Sequence, residues 1–278
     1  MNRIGATAAV CAVRPHRYQQ RDPFFWLAVA CSGVIVAFIV VPLVEMMTQP
    51  TLATLKETLM DRDVIRSIRL SLVTSGAAAL ISLLLGTPLA YLLARRRFVG
   101  KKILESIIDL PIMIPHPVVG IALLSIAGRN HPIGRLLQAV GITFMGTVTG
   151  IIVVLTFVGL PFYINTVKAG FEEISPRLEH VSRSLGATAG ATFLRVTLPL
   201  AWRHMLVGAI MCTARAVSEF GAVVIVAYHP MVAPVMIYER FTAYGLKYSQ
   251  PVAVWLILVC LLLFLLLRIF SPDREAAV

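Results

Sequence analysis

Six long apolar runs, at residues 23–46, 68–94, 104–127, 147–169, 205–228 and 251–270, constrain this chain more than any other feature. A bilayer core takes roughly 20 apolar residues of helix to cross, and each run has that length. Only helices and closed barrels satisfy every backbone group in lipid. These runs are continuous and not alternating, so helices are expected. Composition agrees, with 58% hydrophobic residues, 14% charged and a mean hydropathy of +0.83. A soluble domain carries about 25% charged residues, so water is excluded as the main solvent. The expected fold class is an all-α integral membrane protein with six transmembrane helices.

Lysine and arginine set the orientation, because cytoplasmic loops retain them. With the N-terminus inside, the inner segments hold Arg3, Arg14, Arg17, Arg21, Arg95, Arg96, Arg97, Lys101, Lys102, Lys168, Arg177, Arg183, Arg195, Arg203, Arg268 and Arg274. The outer segments hold fewer: Lys56, Arg62, Arg66, Arg69, Arg129, Arg135, Arg240 and Lys247. Both termini are therefore expected in the cytoplasm. The net charge of +11 is spread along the apolar segments and forms no stripe, so no nucleic-acid partner is expected. Residues 1–22 have no long apolar core and read as a cytoplasmic extension. Residues 23–270 read as the membrane domain, and 271–278 as a short tail. Cys31, Cys212 and Cys260 lie in apolar runs and Cys11 outside them, none at metal-ligand spacing, so no disulfide framework or metal site is expected.

This topology leaves residues 171–203, between the fourth and fifth helices, as the longest inner connection. Ser175 suits an N-cap and Pro176 the first helical position, where its missing N–H costs nothing. Leu178, Val181 and Leu185 then share one helical face. Gly186 suits a left-handed helix end. A second helical stretch, ATFLRVTL, is expected to run into Pro199. Pattern alone leaves two readings: a connector lying on lipid headgroups, or a docking element.

Spacing adds a resemblance. From Gly186, nine residues lead to Val196-Thr197-Leu198-Pro199. This is similar to the cytoplasmic signature of binding-protein-dependent ABC permeases: Glu-Ala-Ala, three residues, Gly, nine residues, Ile-x-Leu-Pro. The first half falls on His180-Val181-Ser182, with histidine where the family has glutamate and Glu179 beside it. The resemblance covers roughly residues 25–270. Ser218–Ala222 looks like the core of molybdate and sulfate permeases. The stretch from there to Glu239-Arg240 is most similar to tungstate/molybdate permeases.

The resemblance implies the membrane-spanning permease of an ATP-driven importer of a tetrahedral oxyanion, located in the cell (inner) membrane. It implies a homodimer of this chain, two ATP-binding subunits beneath and an extracytoplasmic binding protein above. ATP and Mg would be bound by the partner ATPase, and the chain itself needs no cofactor. Leu178, Glu179, His180, Val181, Ser182, Leu185, Gly186, Leu198 and Pro199 would form the coupling element. A sulfate permease is the alternative, and an ATP-independent secondary transporter a more distant one. The chain has no G-x-x-x-x-G-K-[ST] sequence, nucleophile elbow or metal motif, so it is not expected to be an enzyme.

Arg215 and Glu219 are ionisable residues within the fifth run. Such groups face a partner or a water-filled cavity, and four residues apart they share a helix face. They read either as a structural ion pair or, with Ser218 and Gly221, as part of the translocation path. Pro111, Pro115 and Pro117 crowd one run and read as a helix break that gates or lines a cavity, or as a simple kink. His116, between two of them, reads as a packed histidine.

Overall fold

A computed structural model describes residues 23–128, 130–141 and 143–270. The expected extension and tail, 1–22 and 271–278, lie outside the described residues. Within that range every regular element is helical. The chain divides into two compact units, 1–48 and 49–278. In the first unit the described part is one helix, α1 (Pro23–Thr48), with no buried residue.

The second unit begins with α2 (Leu52–Met60) and the long α3 (Arg62–Arg95). Next come α4 (Lys101–Met113), α5 (His116–Ala127) and α6 (Pro132–Ala139). The second long helix is α7 (Val148–Glu173), followed by α8 (Pro176–Ser184) and α9 (Ala189–Thr192). A π turn at Phe193–Thr197 joins α9 to α10 (Leu198–Val217). The last elements are α11 (Gly221–Val226), α12 (Ala233–Tyr244) and α13 (Leu246–Phe270).

The core is formed chiefly by α3, α7 and α10. Along α3 most of the buried positions are small or hydroxylic, Ser67, Ser71, Thr74, Ser75, Ala78, Ala79, Ser82, Gly86, Thr87 and Ala90, with Val64 and Leu93 toward the two ends. Leu80, Leu84 and Leu85 of the same helix are 57%, 61% and 69% exposed. Lipid tails are as apolar as leucine, so burying leucine gains little there, while small residues let helices approach closely. Tyr163 of α7 fills the space over Gly86, and its hydroxyl meets Thr87 at 2.7 Å. No buried side-chain N or O among the described residues lacks a hydrogen-bond partner.

Four helical stretches are long and apolar enough to cross a membrane: Pro23–Thr48, Arg62–Arg95, Val148–Glu173 and Ala189–Val217. A fifth is available if the bent pair α4 and α5 counts as one span. The sixth expected run falls on α13, whose apolar stretch Leu246–Leu262 is shorter.

Two expectations need correction. The fifth helix starts at Ala189, not near 205, and ends at Val217, so residues 218–228 are not its continuation. The helical stretch before Pro199 is present, and Pro199 stands in the first turn of α10 after the π turn, where its missing N–H breaks no regular ladder. Pro111 does not break its helix and sits buried inside α4. The break falls at Ile114–Pro115, where α4 and α5 meet at 113°, with Pro117 in the first turn of α5.

Candidate functional site

Two sites emerge. The first is the helix α8. Its C-terminus is closed by a Schellman pair: Ala187 N–H donates to Ser182 O at 3.2 Å and Gly186 N–H to Arg183 O at 3.0 Å. Gly186 has φ +90°, the left-handed conformation that glycine adopts without strain. Ser175 occupies the N-cap position, but its side chain makes no capping bond. Leu178, Val181 and Leu185 are 47%, 58% and 84% exposed, and His180 is exposed beside them. The apolar face therefore points away from its own chain.

The opposite face is fastened to the bundle. Glu179 is buried, and its Oε1 accepts from Arg95 Nε at 2.8 Å and from the Thr197 hydroxyl at 3.1 Å. Its Oε2 accepts from the Tyr91 hydroxyl at 3.1 Å. Arg95 Nη2 donates in turn to Ile174 O at 3.0 Å. Glu179 thus binds the end of α3 and the π turn before α10 to α8. Ser182 adds a 3.0 Å contact to Thr192 of α9. Leu198 and Pro199 lie beyond the π turn, on the wall of an apolar cavity with Trp202 and Met205. Sequence reasoning missed Arg95, Tyr91 and Thr197. In the sequence Arg95 counts toward topology, and only its place at the end of an apolar run points to more.

The second site lies where two helices are interrupted. Val217 ends α10, and α11 starts at Gly221 after three intervening residues. Glu219 fills the gap: its Oε1 accepts the Ala222 N–H at 2.9 Å, satisfying a donor exposed by the new helix start. Its Oε2 accepts from Arg215 Nη2 at 2.8 Å. The same Nη2 lies 2.8 Å from His116 Nε2, at the start of α5. A Cβ added to Gly221 would stand 3.0 Å from His116 Cβ and 3.2 Å from Pro117 Cδ. The two helix breaks therefore touch.

A cavity of about 530 Å³ opens over this junction, lined by His116, Pro117, Arg215, Ser218, Glu219 and Gly221 among others. Arg215 and Glu219 are paired, and both are among the residues that line this cavity. His116 is not the packed histidine expected, since its side chain is 40% exposed. Asp109, elsewhere on α4, accepts from Asn165 of α7 at 2.7 Å.

A third region lies at the far end of α3. A cavity of about 680 Å³ is bounded there by Asp63, Arg66, His229, Glu239 and Arg240. Beside it, Arg240 Nη2 donates to Asp61 Oδ2 at 2.6 Å. Partial burial pushes the Asp61 carboxyl up, but the Asp63 N–H and the Arg240 guanidinium outweigh it and hold the group below its usual value.

Known proteins resemble this arrangement along most of its length. Residues 83–275 match the family described as "Binding-protein-dependent transport system inner membrane component". The Molybdate/tungstate transport system permease protein WtpB of Pyrococcus abyssi is 41% identical over 254 residues, 89% of this chain and 96% of that protein. The Sulfate transport system permease protein CysT of Synechocystis sp. is 31% identical over 211 residues, 74% of each chain. Among solved structures, a bacterial ABC transporter that imports the acidic polysaccharide alginate superposes with a TM-score of 0.70 at 19% identity. That match spans 92% of this chain and 96% of its counterpart.

Proposed function

This chain belongs to the family of binding-protein-dependent transport system inner membrane components, and from that premise we propose how it works and what it carries. It is a permease subunit of an ABC importer and a multi-pass inner-membrane protein. Its cargo is a tetrahedral oxyanion, molybdate or tungstate, delivered by an extracytoplasmic binding protein. The relatives named for molybdate and tungstate support this over sulfate, by identity and by coverage. The chain crosses the membrane six times with both termini inside. It works as a homodimer over two ATP-binding subunits, which bind ATP and Mg and perform the hydrolysis.

One observation carries the mechanism. Helix α8 offers Leu178, Val181 and Leu185 outward, while Glu179 locks its other face to α3 and to the π turn before α10. An apolar face on a helix that is otherwise fastened down suits a cleft in a partner protein. When the ATPase pair closes, a helix held this way moves α3 and α10 with it. Those helices carry the core and, at the end of α10, Arg215. Motion at the ATPase then reaches the junction of the broken helices without a separate wire. Leu198 and Pro199 contribute from the same turn, and His180 sits on the exposed side without a structural duty.

The test is reconstitution of the chain with its ATPase and a binding protein in lipid. ATP hydrolysis stimulated by binding protein loaded with tungstate or molybdate, and far less by sulfate, is the expected result. Stimulation by sulfate alone would reassign the cargo, and no stimulation by any loaded binding protein would remove the importer reading.

A further inference from the structure

The junction of the two broken helices has hydrogen-bond donors to spare. An arginine carries five N–H donors, yet every contact of Arg215 among the described residues leaves from Nη2. Nε and Nη1 have no partner there, and no buried side-chain nitrogen among the described residues is left unsatisfied. Those nitrogens are therefore not sealed in the interior, and Arg215 lines the cavity of about 530 Å³. The His116 ring is 40% exposed on the same wall, with Nε2 and Nδ1 2.8 and 3.1 Å from Arg215 Nη2 and Nδ1 3.5 Å from Glu219 Oε2, whereas Glu219 is 1% exposed. Both Glu219 oxygens are engaged, one by Arg215 and one by the Ala222 N–H. The cavity thus presents a guanidinium braced by an imidazole, with the carboxylate buried.

Charge decides what such a site can do. A lone guanidinium facing a dianion in a low-dielectric wall would hold it tightly. Here Glu219 neutralises Arg215 beforehand, so the site attracts through directed hydrogen bonds and little net charge. A tetrahedral dianion offers four acceptor oxygens, which suit the planar guanidinium fork. Conduction demands binding firm enough to enter and weak enough to leave.

We propose that the cavity lined by Arg215 and His116 is a transit site for a tetrahedral oxyanion dianion, with Glu219 as the fixed counter-charge that keeps its stay short. The proposal rests on the importer reading and gives its path a specific stop. It also assigns His116, from the other broken helix, to positioning the guanidinium for the anion.

The experiment uses the full transporter, reconstituted with its ATPase and binding protein. Two quantities are read: ATP-driven uptake of radiolabelled tungstate, and tungstate retained by the assembled transporter without binding protein. Arg215→Gln should lower both by roughly tenfold or more, as expected for a charged hydrogen-bond donor lost. Glu219→Gln should raise retention and slow uptake, the opposite signs marking a counter-charge and not a packing role. His116→Phe should weaken retention several-fold, and it decides the matter if Arg215→Gln fails to assemble. Wild-type retention and uptake in His116→Phe or Arg215→Gln would overturn the site. A Glu219→Gln transporter with slowed uptake and no gain in retention would overturn the counter-charge. A wild-type complex with no ATP-driven oxyanion uptake would overturn the importer reading itself, and the site with it.

Discussion

Two buried glutamates, Glu179 and Glu219, each hold an arginine at 2.8 Å, yet their surroundings differ in one respect. Around Glu179, Arg95 Nε, Tyr91 and Thr197 point at the carboxylate, and Arg95 Nη2 is tied to Ile174 O. That cluster joins α8 to α3 and to the π turn and works as a fastening. Around Glu219 the carboxylate is equally engaged, but its arginine turns only Nη2 to protein partners and lines a cavity. The same ion pair is a rivet in one place and a site in the other. The difference lies in what the arginine faces, protein partners in one place and a cavity in the other, not in the glutamate.

The largest test of this contrast is Arg215→Gln, for which uptake should fall at least about tenfold while assembly with the ATPase stays normal. Wild-type uptake would make the second cluster a rivet as well. Next comes Glu179→Ala, which strands the Arg95 charge in a site only 11% exposed. Removing one partner of a buried pair costs about 3–5 kcal/mol, so thermal unfolding in detergent should drop clearly. ATP hydrolysed per anion moved should rise as α8 loosens. Unchanged stoichiometry would detach the fastening from coupling.

Gly186→Val should follow, because a φ of +90° strains a branched side chain by about 1–2 kcal/mol. With α8 frayed at its Schellman end, the assembled transporter should hydrolyse ATP without matching transport. His180→Ala should change stability by no more than about 0.5 kcal/mol, as for an ordinary surface substitution, with near wild-type uptake. A severe His180→Ala phenotype beside a mild Gly186→Val one would replace the shape argument with a polar contact. Smallest is Asp61→Asn. Because the folded carboxyl lies below its unfolded value, its contribution is complete above the unfolded value and fades as pH falls through the folded one. Wild type and variant should therefore differ at neutral pH and converge only well below about pH 4, in thermal melts across pH.

Much of this was legible in the chain. The apolar runs at 23–46, 68–94 and 147–169 fell on long helices, because membrane helices must be long and continuous, whereas the run at 205–228 straddled the end of one. Gly186 was legible because a left-handed helix end has few alternatives to glycine. The breaks were read less well. Three prolines at 111, 115 and 117 announced an interruption, but proline inside a helix is tolerated where packing absorbs it, as at buried Pro111. The stop after Val217 carries no proline at all. It depends on Glu219 capping a new helix and on Gly221 lying against His116 and Pro117, contacts far apart in sequence. Pairing partners across the bundle, Arg95 for Glu179 and His116 for Arg215, were hidden for the same reason.

The most direct measurement is radiolabelled tungstate uptake into proteoliposomes containing this chain, its ATPase and loaded binding protein, with ATP present or withheld. The account predicts uptake only when all three proteins and ATP are present. Anion flux through this chain alone, without ATP, would contradict it.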